Sequence, residues 1–312
     1  MLDRITSLAP AKINLGLKVY SKRADGYHDI ESIFTTVNLC DHVTVSLLDK
    51  DNECIVRCGS LVLPENNTFV MAYKAFCVLT GIKRGVLVEV TKNIPLGGGL
   101  GGGSSDASSF LKSIDILFNT QLGTSDLDLL SGQVGSDVFF FTHALAECKS
   151  EADLCEYNNF TAIVRGRGEI ITQIVGRSDF SLLLVLPSVS VSTKVAYTLV
   201  DKAISRRLAL SGENDKNNKK SVKNGFIGDF ALSLDKIYSK RIEDWSFVND
   251  FTEPVCELYP EIGLAISALK RYGAVFADMS GSGSTVFGVF NDKSDALEAK
   301  AKLSRDWQVV LA

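Results

Sequence analysis

The sequence predicts a globular chain of mixed strands and helices with room for two hydrophobic cores, and three observations lead there. At 312 residues the chain is long for one core and comfortable for two. Alternating or continuous apolar runs, the marks of strands, occur alongside segments whose apolar residues recur every three to four positions, the mark of helices. The composition, 46% hydrophobic and 22% charged, is that of an ordinary soluble protein.

Residues 11–19 and 42–48 read as strands, the second alternating as His-Val-Thr-Val-Ser-Leu. Residues 67–79 read as a helix and 85–91 as a further strand. Residues 95–109 then run Pro-Leu-Gly-Gly-Gly-Leu-Gly-Gly-Gly-Ser-Ser-Asp-Ala-Ser-Ser. Directly afterwards Ala107, Phe110, Leu111, Ile114, Leu117 and Phe118 fall at helical spacing. Asp106 is expected in that helix's first turn, where the dipole favours a carboxylate. A polar segment, 123–126, leads into 127–133 and then Val134-Gly-Ser-Asp-Val-Phe-Phe-Phe141. The apolar run 181–186, ended by Pro187, reads as a buried strand. Val195, Ala196, Leu199, Val200, Ala203 and Ile204 mark another helix, with Thr193 as its cap. Residues 211–228, rich in Asn, Lys, Asp and Gly, offer little to bury and read as a surface loop. A second small-residue loop, 278–285, precedes an alternating strand at 286–290, and the last helix spans 294–303. A domain boundary falls within 155–185.

A net charge of −4 gives no reason to expect nucleic acid or an anionic membrane as partner. The seven cysteines are odd in number and form no CxxC pair, and only three histidines accompany them. Reduced thiols in a cytoplasmic protein are therefore expected, without a structural zinc site. No apolar run approaches the ~20 residues of a membrane span, and residues 1–10 lack the basic start and apolar stretch of a signal peptide.

Chemistry concentrates in the glycine tract, six of whose residues are glycine. A backbone without side chains approaches a ligand closely, and the following helix adds the positive end of its dipole, so the natural guest is a phosphate. A Walker A loop is excluded, because no lysine follows the glycines. Gly97, Gly99 and Gly102 match GxGxxG, but so many glycines make that match nearly automatic. Asn93-Ile-Pro-Leu96 also intervenes where a dinucleotide fold turns at once. A flexible linker seldom sits between a strand and an immediately periodic helix.

The tract resembles the phosphate loop of the GHMP kinases (galactokinase, homoserine kinase, mevalonate kinase and relatives), Pro-x-Gly-x-Gly-Leu-Gly followed by serines. Its extended form, Gly-Leu-Gly-Gly-Gly-Ser-Ser-Asp-Ala, is similar to one branch of that superfamily, which acts in the non-mevalonate route to isoprenoid precursors. Ala9-Pro-Ala-Lys-Ile-Asn-Leu-Gly-Leu17 with Arg23-Ala-Asp-Gly-Tyr-His28 resembles the branch's opening signature. Glu65-Asn-Asn67, Gly135-Ser-Asp-Val138, Asn249-Asp-Phe-Thr-Glu-Pro254 and Met279-Ser-Gly-Ser-Gly283 follow in the expected order. The family pattern has alanine and proline where this chain has Ser136 and Phe139.

The resemblance implies an α+β, two-domain GHMP kinase fold. Residues 1–160 would form a ribosomal protein S5 domain 2-like ATP-binding domain and 161–312 an α/β-plait domain. It implies ATP as phosphoryl donor with Mg²⁺, whose ligands the sequence does not identify. Asp137 would be the base that takes the proton from the 2-hydroxyl of a cytidylated alcohol, with Lys12 beside it. On pattern alone Lys12 is equally an exposed lysine, and Asp137 reads first as a turn or cap residue; the resemblance reverses that reading. Pro95, Leu96, Gly97, Gly98, Gly99, Leu100, Gly101, Gly102, Gly103, Ser104 and Ser105 would cradle the triphosphate, with Asn67 at the adenine. If Ile13, Leu15 and Leu17 face the core, Lys12 and Asn14 share the opposite face. Asn14, Tyr27, His28, Thr193 and Tyr197 would bind the substrate, the two tyrosines stacking on its cytosine and His28 bonding its edge. Tyr197 reads equally as a core residue of an amphipathic helix. Two alternatives stay open: another GHMP kinase acting on homoserine, mevalonate or a sugar, and a non-catalytic nucleotide-binding regulator.

Overall fold

The computed structural model describes residues 3–214 and 233–312. The chain begins with β1 (Arg4–Lys22), β2 (His28–Asp51), β3 (Cys54–Arg57), α1 (Thr68–Thr80) and β4 (Arg84–Thr91). Four helices follow, α2 (Gly102–Phe118), α3 (Thr124–Val134), α4 (Ser136–Ala144) and α5 (Glu151–Leu154). Next come β5 (Thr161–Gly166), β6 (Ile170–Ile174), β7 (Ser181–Leu186), α6 (Thr193–Asn214) and α7 (Leu234–Tyr238). The chain ends with α8 (Thr252–Leu258), α9 (Pro260–Arg271), β8 (Phe276–Met279), β9 (Val286–Phe290), α10 (Lys293–Leu303) and β10 (Gln308–Leu311).

The residues divide into two compact units. One comprises Met1–Lys12, Thr36–Leu96 and Gly101–Phe160, the other Ile13–Thr35, Gly97–Leu100 and Thr161–Ala312. Segments 13–35 and 97–100 thus group with the residues after 160.

In the first unit the later part of β2 pairs antiparallel with β4, His42 opposite Thr91, and β3 runs parallel to β4. Val43, Val45, Val86 and Val88 from these strands meet Phe69 and Phe76 of α1 and Phe110, Leu111 and Ile114 of α2 in one core. Asn67 caps α1, its Oδ1 accepting from Phe69 N and Val70 N, and Gly81 closes the helix at φ 74°.

In the second unit β5 pairs antiparallel with the start of β2 and with β6. A separate four-stranded sheet has the order β10-β7-β9-β8, all antiparallel. Helices lie between its first and second and its third and fourth strands in sequence, the β-α-β-β-α-β arrangement. Leu183, Leu184 and Val185 of β7 are fully buried, as their unbroken apolar run requires, and so are Val289 and Phe290 of β9 and Leu269 of α9.

Several expectations change. The alternation read into 11–17 does not leave a polar face open, because Lys12 and Asn14 are buried along with Ile13 and Leu15. Asp106 is the fifth residue of α2 rather than a first-turn residue, since the helix begins inside the glycine tract at Gly102. Thr193 is the first residue of α6, not its cap; Ala196 N donates to Ser192 O, which gives Ser192 that place. Residues 211–214, expected in a loop, continue α6, while 215–228 lie outside the described residues.

Candidate active site

The fold gathers the expected side chains in two groups, one in each unit. In the first, α2 starts where Gly101 turns the chain at φ 71°. A Cβ on Gly101 would stand 2.9 Å from Phe141 Cε2 and 3.2 Å from Lys12 Cγ, so glycine is what lets the tract lie against the lysine stem. Ser104 N and Ser105 N donate to Gly101 O at 3.0 and 2.9 Å. The N–H groups of Gly102 and Gly103 have no carbonyl one turn back within the helix, and with the dipole they favour an anion there.

Beside that site Lys12 Nζ lies 3.7 Å from Asp137 Oδ2. Asp137 is the second residue of α4, and Phe140 and Phe141, three and four residues on, are buried. Phe139 continues the same helix, so the missing family proline leaves the backbone there regular. The lysine side chain is 4% exposed and the aspartate 32%, so the carboxylate is the member of the pair open to a ligand. Burial pulls the Lys12 ammonium below the usual lysine range, and the Asp137 charge opposes that pull. The arrangement can accept a proton at Asp137 while Lys12 offsets developing negative charge.

A second ionic cluster braces the strand-to-helix connection. Lys92, the residue after β4, bonds Asp41 Oδ2 and also Asp106 Oδ2, the latter at 2.7 Å. Asp41 is fully buried, and its Oδ1 accepts from Asn93 N and Ile94 N at 2.5 and 2.8 Å. Burial pushes the Asp106 carboxyl up to about 7, with Lys92 restraining it. Its Oδ1 and the neighbouring Ser105 Oγ are buried with no hydrogen-bond partner among the described residues. No group of three His, Cys, Asp or Glu side chains among the described residues could hold a metal.

Of the other expected nucleotide residues, Asn67 spends its Oδ1 on the α1 cap and one Nδ2 hydrogen on Pro64 O at 3.0 Å. Leu96 is exposed. Gly97–Leu100 group with the second unit. There Thr285 N donates to Gly98 O at 3.2 Å and Ser280 Oγ to Gly99 O at 3.0 Å. Buried Asn249 holds the same 279–283 loop, its Nδ2 donating to Met279 O and Gly281 O at 2.8 Å each.

The second unit also holds all five expected substrate residues. His28 stacks on Tyr197 with ring centroids 5.0 Å apart and planes 23° from parallel. Phe251 supports Tyr197 edge-on at 4.9 Å. His28 Nδ1 lies 2.8 Å from Tyr20 O, and because a carbonyl only accepts, Nδ1 carries a proton. Nε2 faces Asp201 Oδ1 at 3.4 Å. Tyr27 stands apart from that stack, 54% exposed, with its ring under the Arg167 guanidinium. Thr193 Oγ1 meets Ser282 Oγ at 3.2 Å, and buried Asn14 donates from Nδ2 to Ser32 Oγ.

Comparison with known proteins gives the family of the chain. Residues 67–144 match the GHMP kinases N terminal domain and 236–309 the GHMP kinases C terminal domain. A 4-diphosphocytidyl-2-C-methyl-D-erythritol kinase of Treponema pallidum is 36% identical over 306 residues, covering 98% of this chain and 97% of that protein. Its counterpart in Thermodesulfovibrio yellowstonii is 37% identical over 296 residues, covering 95% and 93%. The chain belongs to the 4-diphosphocytidyl-2-C-methyl-D-erythritol kinase family of GHMP kinases. As a member it is a phosphotransferase with an alcohol group as acceptor. A crystal structure of a 4-(cytidine 5'-diphospho)-2C-methyl-D-erythritol kinase superposes with a TM-score of 0.71 at 24% identity over 98% of both chains. The homoserine kinase of Cytophaga hutchinsonii gives 0.64 at 19% identity, covering 100% of this chain and 94% of that one. Both likenesses concern the two-domain fold.

Sequence reasoning did not find Lys92, Asp41, Asp201 or Arg167. The first two are far apart in the chain and meet only through the β2–β4 pairing, and Arg167 sits between two glycines where a turn is the obvious reading. Asp201, one helical turn after Tyr197, was within reach of pattern reasoning.

Proposed function

We propose that this chain transfers the terminal phosphoryl group of ATP to the 2-hydroxyl of 4-diphosphocytidyl-2-C-methyl-D-erythritol. The observation that carries the reading is the contact of Gly101, at the head of the α2 anion site, with Lys12, whose ammonium lies 3.7 Å from Asp137. A phosphate at the helix start and a hydroxyl at Asp137 would be neighbours there. Asp137 takes the hydroxyl proton as the oxygen attacks the γ-phosphorus, the bond to the bridging oxygen breaks, and ADP leaves. Lys12 lies against Asp137 and offsets the charge on the attacking oxygen. Most of the acceleration comes from alignment by Gly97–Ser105 and from neutralisation of phosphate charge, because phosphoryl transfer passes through a loose transition state. Magnesium carried by ATP supplies part of that neutralisation.

Asn67 serves the adenine, with Pro95 and Leu96 leading into the phosphate loop. Tyr27, His28, Thr193 and Tyr197, with Asn14, recognise the cytidylated substrate. The His28–Tyr197 stack supports that role, because mevalonate and homoserine carry no base for an aromatic pair to recognise. ADP release measured with the cytidylated alcohol, mevalonate and homoserine in parallel tests the reading. Turnover with the cytidylated alcohol alone is expected. Turnover confined to mevalonate or homoserine overturns the substrate. ATP binding without turnover on any of them points to a regulator.

A further inference from the structure

The hairpin between β5 and β6 carries an arginine with an unassigned role. Ile30 pairs with Gly166 and Glu31 with Arg165, antiparallel, so residues just past Gly166 lie beside those just before Ile30. That register delivers Arg167 to Tyr27, with the guanidinium carbon 3.9 Å from the ring centroid. The tip is tightly made. Gly166 and Gly168 take φ 71° and 130°, Arg167 N donates to Glu169 Oε2, and Gly168 N donates to Arg165 O at 3.2 Å.

Two other arginines flank this loop and both are neutralised. Arg23 pairs with Asp25 and Asp29 at 3.1 and 2.7 Å, and Arg165 with Glu31 at 2.8 Å. Among the described residues no carboxylate oxygen forms an ion pair with Arg167. It acts on Asp25 from farther off, adding to the Tyr27 N hydrogen bond and the Arg23 charge that hold that carboxyl low. An unpaired guanidinium stacked on a half-exposed tyrosine keeps its planar fork of donors for a ligand, and that fork matches phosphate oxygens two at a time. Because Arg167 covers one face of Tyr27, the other face is the one left for a base.

We infer that Arg167 is a substrate-binding residue: it backs Tyr27 while the cytosine stacks on the opposite face, and its guanidinium pairs with the 5'-diphosphate of that nucleotide. The assignment rests on the cytidylated-substrate reading. Base and guanidinium then lie on opposite sides of a single ring, a span shorter than a nucleotide, so the diphosphate can fold back to the arginine.

Calorimetric titration of cytidine, CMP and CDP into the wild type, Arg167→Ala and Arg167→Lys tests this, with ATP affinity as the measure that each variant is folded. Arg167→Ala is expected to weaken CDP by about tenfold, the scale of a charge-assisted hydrogen bond, while changing cytidine far less. Arg167→Lys should recover only part of the loss, because a point charge neither stacks nor forks. An Arg167→Ala protein that keeps the wild-type ratio of CDP to cytidine affinity overturns the diphosphate contact alone. A wild type that binds ATP but none of the three cytidine compounds overturns the substrate reading, and this assignment with it.

Discussion

Replacing Asp106 by asparagine should stabilise the protein at pH 8, by an amount that shrinks as the pH falls. Lys92 stands between two buried carboxylates; its side chain is 13% exposed, against none for Asp41 and 5% for Asp106. With both aspartates ionised the cluster carries an uncompensated negative charge. Burial accordingly raises the Asp106 carboxyl from 3.8 to about 7. A folded-state value above the unfolded one means stability is fully present below pH 3.8 and is lost as the pH rises towards 7. Between pH 5 and 8 the native protein crosses about two of those three units, and at about 1.36 kcal/mol per unit that is roughly 3 kcal/mol. Asparagine has no proton to lose and keeps an oxygen for Lys92, so its stability lacks this slope. Its amide nitrogen takes the unpartnered Oδ1 position and costs about 1–3 kcal/mol at every pH. Urea unfolding of both proteins at pH 5, 6.5 and 8 reads the result. The difference in favour of the variant should grow by roughly 3 kcal/mol across that range. A difference independent of pH would refute the reasoning, because it would mean Asp106 ionises in the fold at its ordinary value.

Lys12 must be protonated to act, and burial lowers its pKa, so the wild-type rate should fall on the alkaline side at a lower pH than an ordinary lysine would give. Lys12→Met should lose about 10²–10³ in kcat, the cost of removing one preorganised donor, and its residual rate should lack that alkaline fall. Gly99→Ala should weaken ATP binding and lower the melting temperature. Its Cβ would overlap Ser280 O at φ 74°, whereas Gly103→Ala, whose Cβ meets nothing within 4 Å, should melt as the wild type does. Tyr197→Leu removes two aromatic contacts, each worth about 0.5–1.5 kcal/mol, and should raise KM for the cytidylated substrate about tenfold without changing KM for ATP.

Elements whose two faces differ, or whose apolar run is bounded by a proline, were legible from sequence. The strand at 42–48, β7 and the α1 helix are of that kind. Residues 28–41 were not, because β2 is buried without a break from 32 to 37, which leaves no alternation to read there. The start of α2 was hidden by its own composition: glycine is a poor helix former, yet the helix begins at Gly102. Val-Phe-Phe-Phe in α4 illustrates how a short apolar run leaves helix and strand undistinguished. In the site, Lys12 and Asp137 were named from a family resemblance and then found 3.7 Å apart, which residue patterns alone could not have shown. Lys92 at a strand end looks like any solvated lysine, and only the fold encloses it between Asp41 and Asp106.

The central claim is that Asp137 takes the proton from a cytidylated alcohol while ATP is held elsewhere in the site. Single-turnover phosphoryl transfer to 4-diphosphocytidyl-2-C-methyl-D-erythritol, measured for the wild type and Asp137→Asn alongside ATP affinity, tests it most directly. The account predicts a rate loss of about 10²–10⁴ with ATP affinity nearly unchanged. An Asp137→Asn protein that transfers phosphate at the wild-type rate would contradict it.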